Sequence, residues 1–258
     1  MPNSSRAEFD WAHWFARWET MQSAYAAQRS RRFELMLRWP DFPRDAELRI
    51  LDLGCGPGSL AFQAVKTYPR ARILAVDADE SLLAMGRAVA AALTDRVAFE
   101  RADLRDGAWW ASLQGPFNLV CSATALHWLT PDHLTETYRR IYAALAPGGW
   151  FVNSDAIASD DPVTQERYRA LRKARQQAAL QASGVDTWDA YIEAYQRALS
   201  EIGIEQPTGE SLCWEGCDDG QPRAFHFTTL AACGFERIGV IWQDLTEAIL
   251  TARKPEAR

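Results

Sequence analysis

The run Ile50-Leu51-Asp52-Leu53-Gly54-Cys55-Gly56-Pro57-Gly58-Ser59-Leu60 constrains this chain more than any other stretch. Apolar, strand-like residues from Leu48 to Leu53 lead into three glycines at alternate positions. A segment of helical period follows, with Leu60, Ala64 and Val65 on one side. Strand, tight turn and helix in that order open a doubly wound α/β domain. Glycine serves the turn twice, because it adopts backbone angles closed to other residues and lets a ligand approach the main chain. A helix beginning near Gly58 directs free N–H groups at the turn, a place suited to a carboxylate or phosphate.

The rest of the chain supports that reading. Residues 7 to 39 read as helix, with Trp11, Trp14, Phe15, Trp18 and Tyr25 forming one aromatic stripe at helical spacing. Arg29, Arg31, Arg32 and Arg38 give its later turns a basic side. Strands are expected at Leu48–Leu53, Arg72–Val76, Val97–Glu100, Phe117–Ser122 and Trp150–Ser154. Helices are expected at Gly58–Tyr68, from a cap at Asp79 to Ala92, and at Asp132–Leu145, the last stopped by Pro147-Gly148-Gly149. From Asp160 to Glu201 the pattern is helical with a break at Ser183-Gly184. Residues 203 to 223 read as loop, then comes a helix holding His226 and Leu230 that ends at Gly234. Two closing strands lie near Phe235–Trp242 and Leu245–Ala252. Alternating β and α units of this length imply a mostly parallel sheet with helices on both faces. The domain reading is an N-terminal helical lid at 1–45, a Rossmann-like core at 46–156 and 224–258, and a helical cap at 157–223.

A net charge of −6 over 258 residues argues against non-specific nucleic-acid binding. No apolar run reaches membrane-spanning length, and no signal-peptide pattern opens the chain. Five cysteines, an odd number, are read most simply as reduced thiols in a cytoplasmic protein. Cys213-x3-Cys217, with His226 and Cys233 beyond, has a spacing zinc could use, but unrelated thiols explain it more simply, so no metal is expected.

The glycine spacing is G-x-G-x-G, with Ser59 where a dinucleotide fingerprint wants its last glycine or alanine. With "VDAD", "RADLRD", "FNLVCSATALHWL", "LAPGGW" and "ACGFERIGVIWQDLTEAILTARK", the motif resembles the class I S-adenosylmethionine-dependent methyltransferases. Within them the chain is similar to the small-molecule branch of trans-aconitate and ubiquinone-biosynthesis type. The resemblance covers about Leu48 to Ser154 and Phe235 to Lys254. It implies a seven-stranded sheet with one antiparallel strand near the edge. It also implies cofactor contacts from Gly54, Gly56 and Asp77, with Asp103 and Leu104 at the adenine and Ser122 and Ala123 at the methionine end. Asp52, Cys55, Gly58 and Ala78 complete the candidate set from the same turns, and Arg29 and Arg32 join it from the N-terminal segment. An acid at the position of Asp77 serves both NAD and S-adenosylmethionine enzymes, since it accepts both hydroxyls of a ribose. The chain lacks the Asn/Asp-Pro-Pro-aromatic signature of methyltransferases that modify bases or glutamine, having Ser122-Ala123-Thr124-Ala125 instead.

His127 follows the fourth strand, where such sheets bind ligands, and is either a proton acceptor or a structural residue packed beside Trp128. Tyr25 is expected nearest the methyl-transfer centre, under a segment that either closes as a lid or docks statically. The expected activity is in-line methyl transfer to an O, N or C atom of a small metabolite, by a monomer or homodimer. The rivals are a non-enzymatic protein that binds the same cofactor and an NAD-dependent oxidoreductase.

Overall fold

A computed structural model describes residues 9–204 and 216–257. Seven strands form one sheet in the order β3-β2-β1-β4-β5-β7-β6. The strands are β1 (Arg49–Leu53), β2 (Arg72–Asp77), β3 (Val97–Arg101), β4 (Phe117–Ala123), β5 (Leu145–Ala156), β6 (Glu236–Asp244) and β7 (Glu247–Arg253). β7 is antiparallel to both its neighbours, and β1 to β5 are parallel. The expected doubly wound α/β sheet with one antiparallel strand near its edge is therefore what forms.

The sheet is apolar on both faces because its strands are buried on both. Ile50, Ile73, Leu119, Val152 and Ile249 pack into one core. Leu51, Val76, Val120, Phe151 and Leu250 pack into the other, as the two-residue period of a strand requires. Helices start where short polar side chains can hold their first N–H groups. α4 (Glu80–Leu93) is capped by Asp79, α6 (Pro131–Ala144) by Thr130, α7 (Pro162–Ser183) by Asp161 and α8 (Trp188–Glu201) by Thr187. α3 (Ser59–Thr67) starts at Gly58, and α9 (Arg223–Ala232) leads into the closing strands.

Several boundaries differ from the sequence reading. The expected single N-terminal helix is two, α1 (Trp11–Tyr25) and α2 (Arg29–Arg38), separated by an extended Ala26 and a left-handed Gln28 at φ 52°. Ala-Ala-Gln contains no helix breaker. The break is tertiary: the Ala27 N–H donates to Glu247 Oε2 at 3.2 Å, across the fold. β5 begins at Leu145, so Pro147-Gly148-Gly149 lies within a strand rather than after a helix, with Gly148 N–H bonded to the carbonyls of Lys254 and Pro255. A short α5 (Gly107–Ser112) was not expected. Residues 205–215 of the expected loop lie outside the described residues.

α1 packs its stripe into a third core. Trp14, Trp18 and Met21 meet Leu82 and Met85 of α4 and Tyr191, Tyr195 and Leu199 of α8. Arg17 clamps Asp186 with two bonds of 2.6 and 3.0 Å, and the Tyr191 hydroxyl donates to the Trp14 carbonyl.

Candidate functional site

The strand order reverses between β1 and β4, so loops from the carboxyl ends of β1 to β5 gather over that point. They wall a cavity of about 500 Å³, within the range of small-molecule sites. Along the sheet the wall runs from Asp103, Leu104 and Arg105 after β3, through Asp77, Ala78 and Asp79 after β2, to Gly54, Cys55 and Gly56 after β1. It continues with Ala123 to Ala125 and His127 to Leu129 after β4, Asp155 and Ala156 on β5, and Glu247 on β7. Trp18, Gln22, Tyr25, Ala26, Arg29 and Arg32 close it from α1 and α2; Arg172, Gln176, Trp188 and Asp218 close it from the cap region.

The glycine turn is shaped by what it must avoid. Gly54 has φ 65°, and a Cβ there would lie 2.3 Å from the Ala125 Cβ. Gly56 has φ 54°, and a Cβ would enter the space between Trp18 and Leu82 on the cavity wall. Asp77 fixes this turn: its Oδ2 accepts the Gly56 N–H at 2.7 Å and its Oδ1 accepts the Asp79 N–H at 2.9 Å. Each oxygen keeps a lone pair for a further donor. Burial pushes the Asp77 carboxyl up to about 6 despite these bonds. Burial, and then the charge of Asp77, push Asp52 up to about 7. The same causes raise the Cys55 thiol, which therefore stays protonated.

Three expected contacts are not on the wall. Ser122 is fully buried and its hydroxyl donates to the Leu53 carbonyl, because the strand period turns it into the sheet. Gly58 packs against the ring of Phe99, where a Cβ would come within 2.6 Å. Asp52 is buried beneath the turn with Oδ2 unpartnered among the described residues. Asp103 is on the wall but is held by Arg105, whose Nη2 lies 2.7 Å from Oδ2. That hydrogen bond, against the opposing effect of burial, keeps its carboxyl below the ordinary range.

The N-terminal arginines are both on the wall and both paired. Arg29 meets Glu19 at 2.7 Å. Arg32 is buried, bonded to Ser154 Oγ at 2.8 Å and to Glu247 at 3.1 Å. Burial pushes its guanidinium down from its usual range, with Glu247 and Asp155 opposing. The Tyr25 hydroxyl accepts the Trp188 N–H at 2.7 Å, tying α1 to the start of α8.

His127 lies in a 3-10 turn (Leu126–Trp128) after β4. Its Nδ1 is 2.5 Å from Asp155 Oδ1, and its backbone N–H donates to Asp155 Oδ2 at 3.1 Å. Burial alone would raise the Asp155 carboxyl; the His127 ring and its hydrogen bond outweigh this and hold it below the usual value. The sequence reading missed Asp155 by ending the fifth strand two residues early. An acid at the carboxyl end of a central strand was the available signal. It also missed Trp18, Arg172, Trp188 and Glu247, which reach the cavity only through tertiary packing. Of the cysteine and histidine set considered for zinc, Cys213 lies outside the described residues. His226 is buried against the Tyr138 hydroxyl at 2.6 Å. Among the described residues no group of three or more His, Cys, Asp or Glu is placed to hold a metal.

Comparison with known proteins agrees with this geometry. The family described as "Methyltransferase domain" matches residues 50–149. A trans-aconitate 2-methyltransferase of Variovorax paradoxus is 32% identical over 148 residues, 57% of this chain and 51% of that protein. One from Escherichia coli is 30% identical over 182 residues, 70% of this chain and 65% of that protein. The aligned part spans about half the length of the first of these curated relatives. Magnesium protoporphyrin IX methyltransferase from Synechocystis PCC 6803, solved with bound SAH, superposes with a TM-score of 0.57 at 16% identity, covering 93% of this chain and 94% of that one. Human N-acetylserotonin methyltransferase in complex with SAM gives 0.54 at 16% identity, covering 96% and 59%. With its sheet order and its motif turn, the chain has the fold of the class I S-adenosylmethionine-dependent methyltransferases, and its residues 50–149 are similar to their methyltransferase domain.

Proposed function

We propose that the protein transfers a methyl group from S-adenosylmethionine to an O, N or C atom of a small molecule. The observation that carries this reading is one continuous cavity, lined both by the Gly54–Gly56 turn with Asp77 and by His127 with Asp155. The residues present suit the cofactor. Gly56 leaves bare backbone where a side chain would protrude, and Asp77 offers free lone pairs to ribose hydroxyls. In this reading Asp103 and Leu104 meet the adenine, and Cys55, Ala78 and Ala123 the connecting parts. Trp18 contributes a buried indole N–H that has no partner among the described residues. Arg29 and Arg32 face the amino-acid end, their charges offset by Glu19 and Glu247.

Bound there, the cofactor supplies a methyl group on a positively charged sulfur that leaves as a neutral thioether. The chain's own part is alignment and exclusion of water, and orientation alone can lower a barrier by about 7–11 kcal/mol in well-aligned cases. His127, held by Asp155, is the proton acceptor where the acceptor group needs one. Tyr25 and the α1–α2 segment form the lid side and residues 157–204 and 216–223 the cap side of the acceptor pocket. The reading includes a cytoplasmic protein, supported by the unpaired Cys55, Cys121, Cys217 and Cys233, and a monomer or homodimer that does not act on nucleic acid. The curated relatives' names add trans-aconitate to the acceptors to be tried. Calorimetry with S-adenosylmethionine and with NAD, followed by a screen of small metabolites with methyl-labelled cofactor, tests the proposal. Tight binding with no transfer to any metabolite would favour a non-enzymatic binding protein, and preference for NAD would end the reading.

A further inference from the structure

We infer that the acceptor is an uncharged hydroxyl on a planar ring, a phenol or a cyclic enol, which gives its proton to His127 Nε2 while Asp155 positions the imidazole. This rests on the methyl-transfer reading above. Three independent observations lead to it.

The first is orientation. Asp155 meets His127 twice, at Nδ1 and at the backbone N–H, and is itself fixed by the Ala156 N–H at 2.9 Å. A carboxylate at Nδ1 keeps the proton on that nitrogen and leaves Nε2 as the acceptor. Among the described residues Nε2 has no hydrogen-bond partner, and His127 is part of the cavity wall. The ring sits after β4 and its carboxylate on β5, so both flank the β1–β4 switch point within about two strand spacings, roughly 10 Å. A buried, doubly anchored carboxylate behind a histidine is needed to deprotonate a group that is a poor nucleophile while protonated. A carboxylic acid is already an anion at neutral pH and needs no such help.

The second is charge. Arg32 is matched by Glu247 and Arg172 by Asp219, both at 3.1 Å. Arg29 is matched by Glu19 and Arg105 by Asp103, both at 2.7 Å. No other arginine and no lysine lines the cavity among the described residues. A di- or tricarboxylate would have to displace an internal carboxylate from each guanidinium it used, and would meet Asp155 and Asp218 on the same wall. The third is shape: Trp128, Trp188 and Tyr25 line the same cavity, and their aromatic rings suit a flat ligand.

The transfer balances simply. A lone pair on the acceptor oxygen forms the new O–CH3 bond as the S–CH3 bond breaks and its electron pair returns to sulfur. The hydroxyl proton ends on His127 Nε2 and passes to solvent when product leaves.

Long-range 1H–15N correlation on the unliganded protein reads the His127 tautomer directly. The expected result at pH 7.5 is Nδ1 protonated and Nε2 bare; an imidazolium, or a proton on Nε2, overturns the assignment. The second experiment measures transfer from S-adenosylmethionine to 2-naphthol, catechol and resorcinol, to benzoate, citrate and trans-aconitate, and to benzylamine. The phenols should exceed every carboxylate and the amine by at least about 100-fold in kcat/KM, the scale of one general base. With S-adenosylmethionine held saturating at every pH, so that Asp77 does not contribute, their kcat/KM should rise tenfold per pH unit on the acid side. Both His127→Gln and Asp155→Asn should lower kcat by about 10²-fold or more with cofactor affinity retained, and His127→Gln should abolish the acid limb. Should Asp155→Asn not fold, His127→Gln carries the test alone. Greater turnover on a carboxylate or the amine, an intact pH limb in His127→Gln, or bound cofactor with no product from any phenol each overturns the inference. Failure to bind S-adenosylmethionine at all would instead overturn the reading beneath it.

Discussion

Acidifying the solution should weaken binding of S-adenosylmethionine while stabilising the unliganded protein, and Asp77 is the reason. Burial moves its carboxyl from the ordinary 3.8 up to about 6. That is roughly two units, or about 3 kcal/mol of unfavourable free energy for the ionised form in the folded state. The unfolded chain ionises near its ordinary value. As pH falls through 6 the folded protein therefore takes up a proton that the unfolded chain does not, and stability rises until the ordinary value is approached. Asp52, pushed up to about 7, acts in the same direction and slightly earlier. His226 opposes them: burial depresses it from 6.5 to about 4, so its contribution is lost as pH falls between those values. Stability gains are therefore best read as the difference between the wild type and Asp77→Asn. Ribose hydroxyls reverse the preference of Asp77, since each hydrogen bond to the ionised form is worth about 1.5–3 kcal/mol. Affinity should then fall about tenfold per pH unit below 6, until the neutral form binds as well as it can. Calorimetric titrations at pH 8, 6, 5 and 4.5 with S-adenosylmethionine and with its demethylated product should show equal losses, because both carry the ribose. Affinity that stays constant from pH 8 to 5, or an unchanged slope in Asp77→Asn, would refute the role given to Asp77.

Three further perturbations have definite outcomes. Gly56→Val should cost about 1–2 kcal/mol in stability for its left-handed backbone and remove cofactor binding from a folded protein, as circular dichroism and calorimetry would establish. Arg32→Met strands Glu247 in a site only 13% exposed and should cost about 3–5 kcal/mol in chemical denaturation, with Glu247→Gln added to it restoring most of the loss. Amide exchange over α1 should be slow even without ligand, since Trp14, Trp18 and Met21 are buried. A further slowing on addition of S-adenosylmethionine should concentrate at residues 26–29; uniformly fast exchange across α1 would contradict the packing described.

How much of this was legible depended on range. The strand-turn-helix unit at Leu48–Val65, the cap at Asp79 and the acid at Asp77 are local signals, readable from period and turn chemistry within a few residues. The mostly parallel sheet followed from the alternation of units, and its seven strands with one antiparallel near the edge from the family resemblance. Ser122 was misplaced because its neighbour Ala123 shares the motif, and only the two-residue period of β4 separates wall from core. Asp155 was missed because the strand runs on past Ser154, held by pairing with β7 that no window of residues near it can reveal. The break at Ala26–Gln28 was invisible for a deeper reason. Its local sequence favours a helix, and the group that overrules it is 220 residues away, counting from Ala27 to Glu247.

That last contact has a consequence in time. β7 must insert between β5 and β6 before Glu247 can reach Ala27 and Arg32. A ribosome adding about 5–20 residues per second needs roughly 10–45 s to travel from residue 27 to residue 247. Until then nothing bends the first two helices apart, and local propensity favours one continuous rod across residues 11–38. Nascent chains stalled before residue 247 should therefore display the glycine turn yet lack the roof above it, and the closing hairpin acts as the latch that converts a folded sheet into a receptive one.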